Sequence, residues 1–257
     1  MFKNIYPLFE RKRILKKEML ENLRDYPRNL FEIMYEDYAD GILAGCRIEA
    51  RREELVILPG ILYHHHIPYF LEEAFHVPYQ STGTVQYLKV HFADKTSGAG
   101  QEEYLSQIVL DERKPEESCE MELARFKLQE GARLRVEYVD FFDYSTEFDT
   151  VHIIHRPYAS PGKSSIAPEI VKAFAKALMG YPVQSPWDYV FCMDALRERT
   201  LPYEEISAYL NVRGKAQKAC YQNWEIYESL KQILLEASGK EQAGRQMERK
   251  EKKLLLM

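Results

Sequence analysis

The recurrence of apolar positions divides the chain into a helical lead, a strand-rich middle and a helical end. Leu15, Met19, Leu23 and Tyr26 return at the spacing of one helix face. Pro27 is expected to stop that helix, because it has no N–H to give and its ring crowds the preceding turn. Phe31, Met34, Tyr35 and Tyr38 predict a second, short helix. Asn29 and Glu32 stand at its start with the spacing of a capping box, and Asp40-Gly41 ends it.

From residue 42 the period shortens towards two. Strands are predicted at 42–49, 54–63, 66–72, 84–92, 103–110, 120–128, 132–140 and 151–155. Turn-forming stretches separate them, among them DKTSGAG at 94–100 and DERKPEES at 111–118. Pro59, Pro68 and Pro78 belong at strand ends, bulges or edges, since proline cannot donate to a ladder. Closely spaced strands with no helices between them predict an antiparallel sandwich or barrel.

RPYASPGKSS, at 156–165, marks the change to helix. Pro168 opens one helix, with Ile170, Val171, Phe174, Ala177 and Leu178 on a face and Gly180 and Pro182 ending it. Ser185-Pro186 opens a second, nearly apolar all round. A third starts at 200–205 and ends near Asn211, and a fourth is expected from about 214 to 237. The fold class is therefore α+β, a β-rich domain followed by a helical bundle. The expected divisions are a helical arm at 1–27, a β-rich domain at 28–158, a linker at 159–165, a helical domain at 166–237 and a charged tail at 238–257.

Length and composition narrow the class. The chain has 257 residues, enough to bury a core without disulfides or metals. Its four cysteines contain no CxxC pair, which argues against a zinc knuckle and fits a reducing compartment. No apolar secretory segment and no membrane-length run is seen, so a soluble protein is expected, in the cytoplasm or assembled into a particle. The net charge of −5 gives no general affinity for polyanions. With 18 Tyr and 12 Phe the chain is rich in residues that suit interfaces and cores alike.

Candidate chemistry is sparse. His64 and His66 share a face if 64–66 is a strand, and His91 is the third residue such a metal site would use. A polar surface strand explains the same pattern, so neither metal nor cofactor is expected. GKSS at 162–165 lacks the first glycine of a phosphate-binding loop, because residue 157 is proline. Phe141, Phe142, Tyr144 and Phe148, interleaved with Asp140, Asp143, Glu147 and Asp149, suggest either a protein-contact loop or one tucked against the helical domain. No nucleophile elbow is present. Residues 203–220 have helix-turn-helix spacing, with Arg213, Lys215, Gln217 and Lys218 as the DNA-facing set. Against that reading, Gln217 falls at a buried slot and Asn211 replaces the usual turn glycine.

The stretch 30–135 resembles the attachment regions of phage tail-fibre and baseplate-associated proteins. The resemblance rests on the lead-in Tyr35–Tyr38, on Asp40-Gly41-Ile42-Leu43-Ala44-Gly45, on Leu55-Val56-Ile57-Leu58-Pro59-Gly60-Ile61, and on MELARFKLQEGARL at 121–134. It implies a non-enzymatic component of a tail-like or contractile injection particle, in a baseplate, adaptor or accessory role. Protein partners and a homo- or hetero-oligomer are then expected. Asp40, Gly41, Gly45, Pro59 and Gly60 would be structural turns. A DNA-binding regulator is the first alternative and a metal- or nucleotide-dependent enzyme the second.

Overall fold

A computed structural model describes residues 3–9, 11, 14–98, 101–182, 185–197, 199–214 and 218–239. The expected α+β architecture is present: antiparallel sheet first, helical bundle after. One long helix leads, α1 (Lys17–Met34). Eleven strands follow: β1 (Gly41–Gly45), β2 (Ile48–Ala50), β3 (Glu54–Ile57), β4 (Gly60–His64), β5 (Ile67–Leu71), β6 (Phe75–Pro78), β7 (Val85–Phe92), β8 (Thr96–Gly98), β9 (Gln101–Glu103), β10 (Ser106–Asp111) and β11 (Glu120–Lys127). They pair as β1-β4-β5, β2-β3-β6 and β10-β7-β11, with β8-β9 as a two-stranded ribbon. Every named pairing is antiparallel, and among the described residues no sheet closes into a barrel. Four helices follow among the described residues: α2 (Pro168–Leu178), α3 (Pro186–Ala195), α4 (Tyr203–Arg213) and α5 (Asn223–Ala237).

Several boundaries differ from the sequence expectation, each for a local reason. Pro27 lies inside α1, and the two short helices expected around it are one. The predicted strand 42–49 breaks after Gly45, where Gly45 and Cys46 take φ of 67° and 55°. The predicted strand 54–63 breaks at Leu58-Pro59. Gly45 and Gly60 face each other in the β1–β4 register, and a Cβ on either would overlap backbone of the other segment. The turn glycines thus serve close approach.

The predicted strand 132–140 forms only an isolated bridge, Arg135 to Thr150. Its polar groups go instead to Asp143, which accepts from the Arg135 guanidinium, the Val139 N–H at 2.9 Å and the Thr146 hydroxyl at 2.7 Å. Residues 151–155 likewise give only one bridge, His152 to Arg125. β6 was not expected, and Pro78 sits at its end as the proline rule requires. β8 lies within the predicted turn 94–100, β9 follows it, and the predicted strand 103–110 begins instead at Ser106 as β10.

The segment read as a linker, 159–165, is anchored in the interior at both ends: Ala159, Ser160 and Ser165 are buried, while 161–163 are exposed. Tyr158 bridges both Ser165 and Ile42, Ser165 Oγ donates to the Leu201 carbonyl at 2.7 Å, and Ile166 and Ala167 are fully buried. Arg156, also buried, donates from Nη2 to the Cys46 carbonyl, and its own carbonyl accepts from Asn223 at 3.2 Å. One apolar cluster runs from Ile42, Leu55 and Leu88 in the sheets to Phe174, Ile206 and Leu234 in the bundle.

Candidate functional site

Two features stand apart from this interior. The first is α1. None of its residues is buried, and Leu20, Leu23, Tyr26, Leu30, Ile33 and Met34 are 47–72% exposed. Ile5, Tyr6, Leu8, Phe9, Ile14 and Leu15 extend the exposed apolar run towards the N-terminus. The helix touches the body near its end, where Phe31 packs against Tyr35 and Tyr63 at ring distances of 4.6 and 6.1 Å.

The second feature is a cavity of about 640 Å³ whose lining includes Asp40, His64, Glu120, Lys163, Cys220 and Trp224. Asp40 enters it because the lead-in after α1 turns there before β1. His64 enters it as the last residue of β4. The β4–β5 connection is then a two-residue loop, His65-His66, with φ of 48° and 63°. Two successive positive φ values define the hairpin turn that usually takes Asn-Gly. The His65 N–H donates to Asp40 Oδ1 at 2.9 Å, His64 Nδ1 lies 2.8 Å from Asp40 Oδ2, and His65 Nε2 lies 3.9 Å from the same oxygen. The His64 ring is stacked between His65 at 4.0 Å and Phe92 at 3.9 Å. Burial pushes the His64 imidazole below its ordinary pKa, against the pull of Asp40.

Across the cavity, the Tyr203 hydroxyl, and after it Lys163 at 3.5 Å, hold the exposed Cys220 thiol below its usual pKa. His155 stacks on Trp224 at 5.9 Å, and burial pushes it down to about 4.

The predicted trio His64, His66 and His91 is not brought together. Strand alternation ends at His64, and His66 Nδ1 turns to the Tyr63 hydroxyl at 3.4 Å. His91 lies on β7 beside Glu120, with Nδ1 at 3.8 Å, while its neighbour Phe92 is the residue under His64. What gathers instead is Asp40, His64 and His65. Sequence reasoning flagged two of these residues, but not their meeting, because the β1–β4 pairing creates it.

The aromatic loop takes the tucked arrangement rather than the exposed one. Phe141 and Tyr144 are buried, and Phe141 stacks on Tyr227 at 4.9 Å with Phe174 at its edge. The Tyr227 hydroxyl donates to the Phe141 carbonyl at 3.0 Å. Phe142 is partly buried beside Phe141, and Phe148 lies under the Lys127 ammonium at 4.4 Å. These rings join sheet loop to bundle.

The helix-turn-helix pattern is also redirected. Arg213 Nε donates to the buried Asp188 at 2.7 Å, which also accepts from Tyr209 at 2.9 Å. Helix α4 continues past Asn211 to Arg213, and 218–222 is not helical, so the expected start of a helix at 214 is corrected to Asn223. Asn211 explains the loop: its side chain exchanges hydrogen bonds with the Lys218 backbone and accepts from the Tyr221 hydroxyl. Lys218 pairs with Glu225 at 2.8 Å. Lys215 and Gln217 lie outside the described residues.

No family model and no curated protein matches the chain. Among solved structures the chain is similar to the crystal structure of TssK, with a TM-score of 0.42 and 7% sequence identity over 91% of this chain and 71% of that one. Among the described residues no helix is long and apolar enough to cross a membrane.

Proposed function

We propose that this protein is a non-enzymatic assembly component of a phage-tail-like or contractile injection particle, and that it associates with further copies of itself through α1. The uncovered apolar face of α1 carries the reading. Helices in proteins draw most of their stability from packing an apolar face, and the interior proline costs this one roughly 3 kcal/mol. Burying Leu or Ile side chains contributes about 1.5–3 kcal/mol each, so covering the face offsets that cost.

The pattern favours equivalent helices as the cover. Met19, Leu23, Tyr26, Leu30 and Ile33 alternate at four and three residues, the spacing of a coiled-coil seam. Leu20, Pro27 and Met34 widen that seam on one side, which suits a bundle of more than two helices. The class of particle comes from the resemblance of 30–135 to tail-fibre and baseplate-associated proteins.

Mass measurement in solution tests the association. The full chain is expected to be oligomeric, and the double variant Leu23→Glu, Leu30→Glu monomeric with its sheet and bundle intact by circular dichroism. A monomeric wild type at tens of micromolar would sink the reading, as would a variant with unchanged mass. The particle assignment is tested separately, by whether the chain co-sediments with tail-tube protein identified by mass spectrometry.

A further inference from the structure

The backbone of the β4–β5 turn is expensive for the residues it uses. Left-handed conformations at non-glycine positions cost about 1–3 kcal/mol each, and they gather where a side chain must be aimed. Here two consecutive histidines adopt them. The turn presents His65 beside His64 and points its N–H at Asp40, fixing the carboxylate through Oδ1. Asp40 Oδ2 is left facing both rings.

We propose that Asp40, His64 and His65 bind a divalent transition-metal ion of the zinc type, through Asp40 Oδ2, His64 Nδ1 and His65 Nε2. Two imidazoles and one carboxylate form a borderline nitrogen–oxygen donor set, which zinc accepts readily. Zinc–ligand bond lengths in a tetrahedral site put donor atoms roughly 3.3 Å apart. The two separations from Asp40 Oδ2, 2.8 and 3.9 Å, lie either side of that value. All three donor atoms fall within 4.8 Å of one another.

The surrounding shell supports the site. Phe92 backs the His64 ring, and Ser164 Oγ donates to the Asp40 carbonyl. Coordination through His64 Nδ1 uses the neutral imidazole with its proton on Nε2. Asp40 and His64 also line the cavity, so the ion would be approached from that side. An ion held there ties the residue after the α1 lead-in to the β4–β5 hairpin, so its role is that of a clasp at the base of the arm.

Equilibrium dialysis against zinc tests it, using the full chain without a histidine tag and first stripped with chelator. One equivalent per chain and a raised melting temperature are expected. Both should be lost in Asp40→Asn and in His65→Asn, the latter keeping a residue that tolerates the turn. His66→Asn should retain both, and cobalt should give a tetrahedral visible spectrum in the wild type alone among wild type, Asp40→Asn and His65→Asn. Substoichiometric uptake by the wild type, or full uptake by His65→Asn and Asp40→Asn, would overturn the site.

Discussion

Helices α1 and α2 carry the same kind of pattern and meet opposite fates. Each has apolar residues along one face and charge along the other. In α2 that face, Ile170, Val171, Phe174, Ala175 and Leu178, is buried against the bundle and the aromatic loop. In α1 no residue is buried, and apart from Phe31 against Tyr63 its apolar face is largely exposed among the described residues. An amphipathic stripe therefore states that a face is to be covered, and leaves open by what. For α2 the cover is this chain. For α1 the cover, under the proposed association, is a second copy.

Substitutions on the two faces should separate most sharply in chemical unfolding. Phe174→Ala, at a fully buried ring touching Phe141, Phe191 and Tyr209, is expected to cost about 3–5 kcal/mol. Leu30→Ala should change the stability of the dissociated chain by less than about 0.5 kcal/mol while weakening association. Equal costs in both would abolish the distinction.

A smaller effect tests what holds α1. Pro27→Ala restores an interior N–H and relieves a clash, favouring the helix by up to about 3 kcal/mol. Tighter association and greater helical ellipticity are expected from dilution series. Weaker association would mean that the partner surface uses the proline itself.

The smallest effect probes the junction between sheet and bundle, where His155 stacks on Trp224. Its folded-state pKa of about 4 lies below the ordinary value near 6.5, so the folded protein binds fewer protons there. The corresponding stability is present above about pH 6.5 and lost as pH falls towards 4. With partial exposure it amounts to about 1–2 kcal/mol. His155→Phe, which keeps a ring on Trp224, should flatten the pH dependence of unfolding across that window.

Much of the bundle was legible in the sequence. Pro168 and Pro186 open helices as their fixed φ allows, and the apolar spacing between Ile170 and Leu178 marks the buried face. The strand-rich middle was legible as well, although Gly45 and Pro59 break predicted strands that periodicity ran together. Residues 132–140 alternate like a strand, yet Asp143 collects their donors and leaves only one bridge. The cluster in the cavity was not legible, because Asp40 lies far from His64 and His65 in sequence.

Periodicity, prolines and glycines by themselves determined the class of fold and the order of sheet and bundle, since these act within a few residues. Tertiary structure alone decided which faces are covered, that Arg213 is spent on Asp188, and that a carboxylate meets two imidazoles. Each of these depends on pairing between distant segments, and a linear pattern records which residues are available without recording which of them meet.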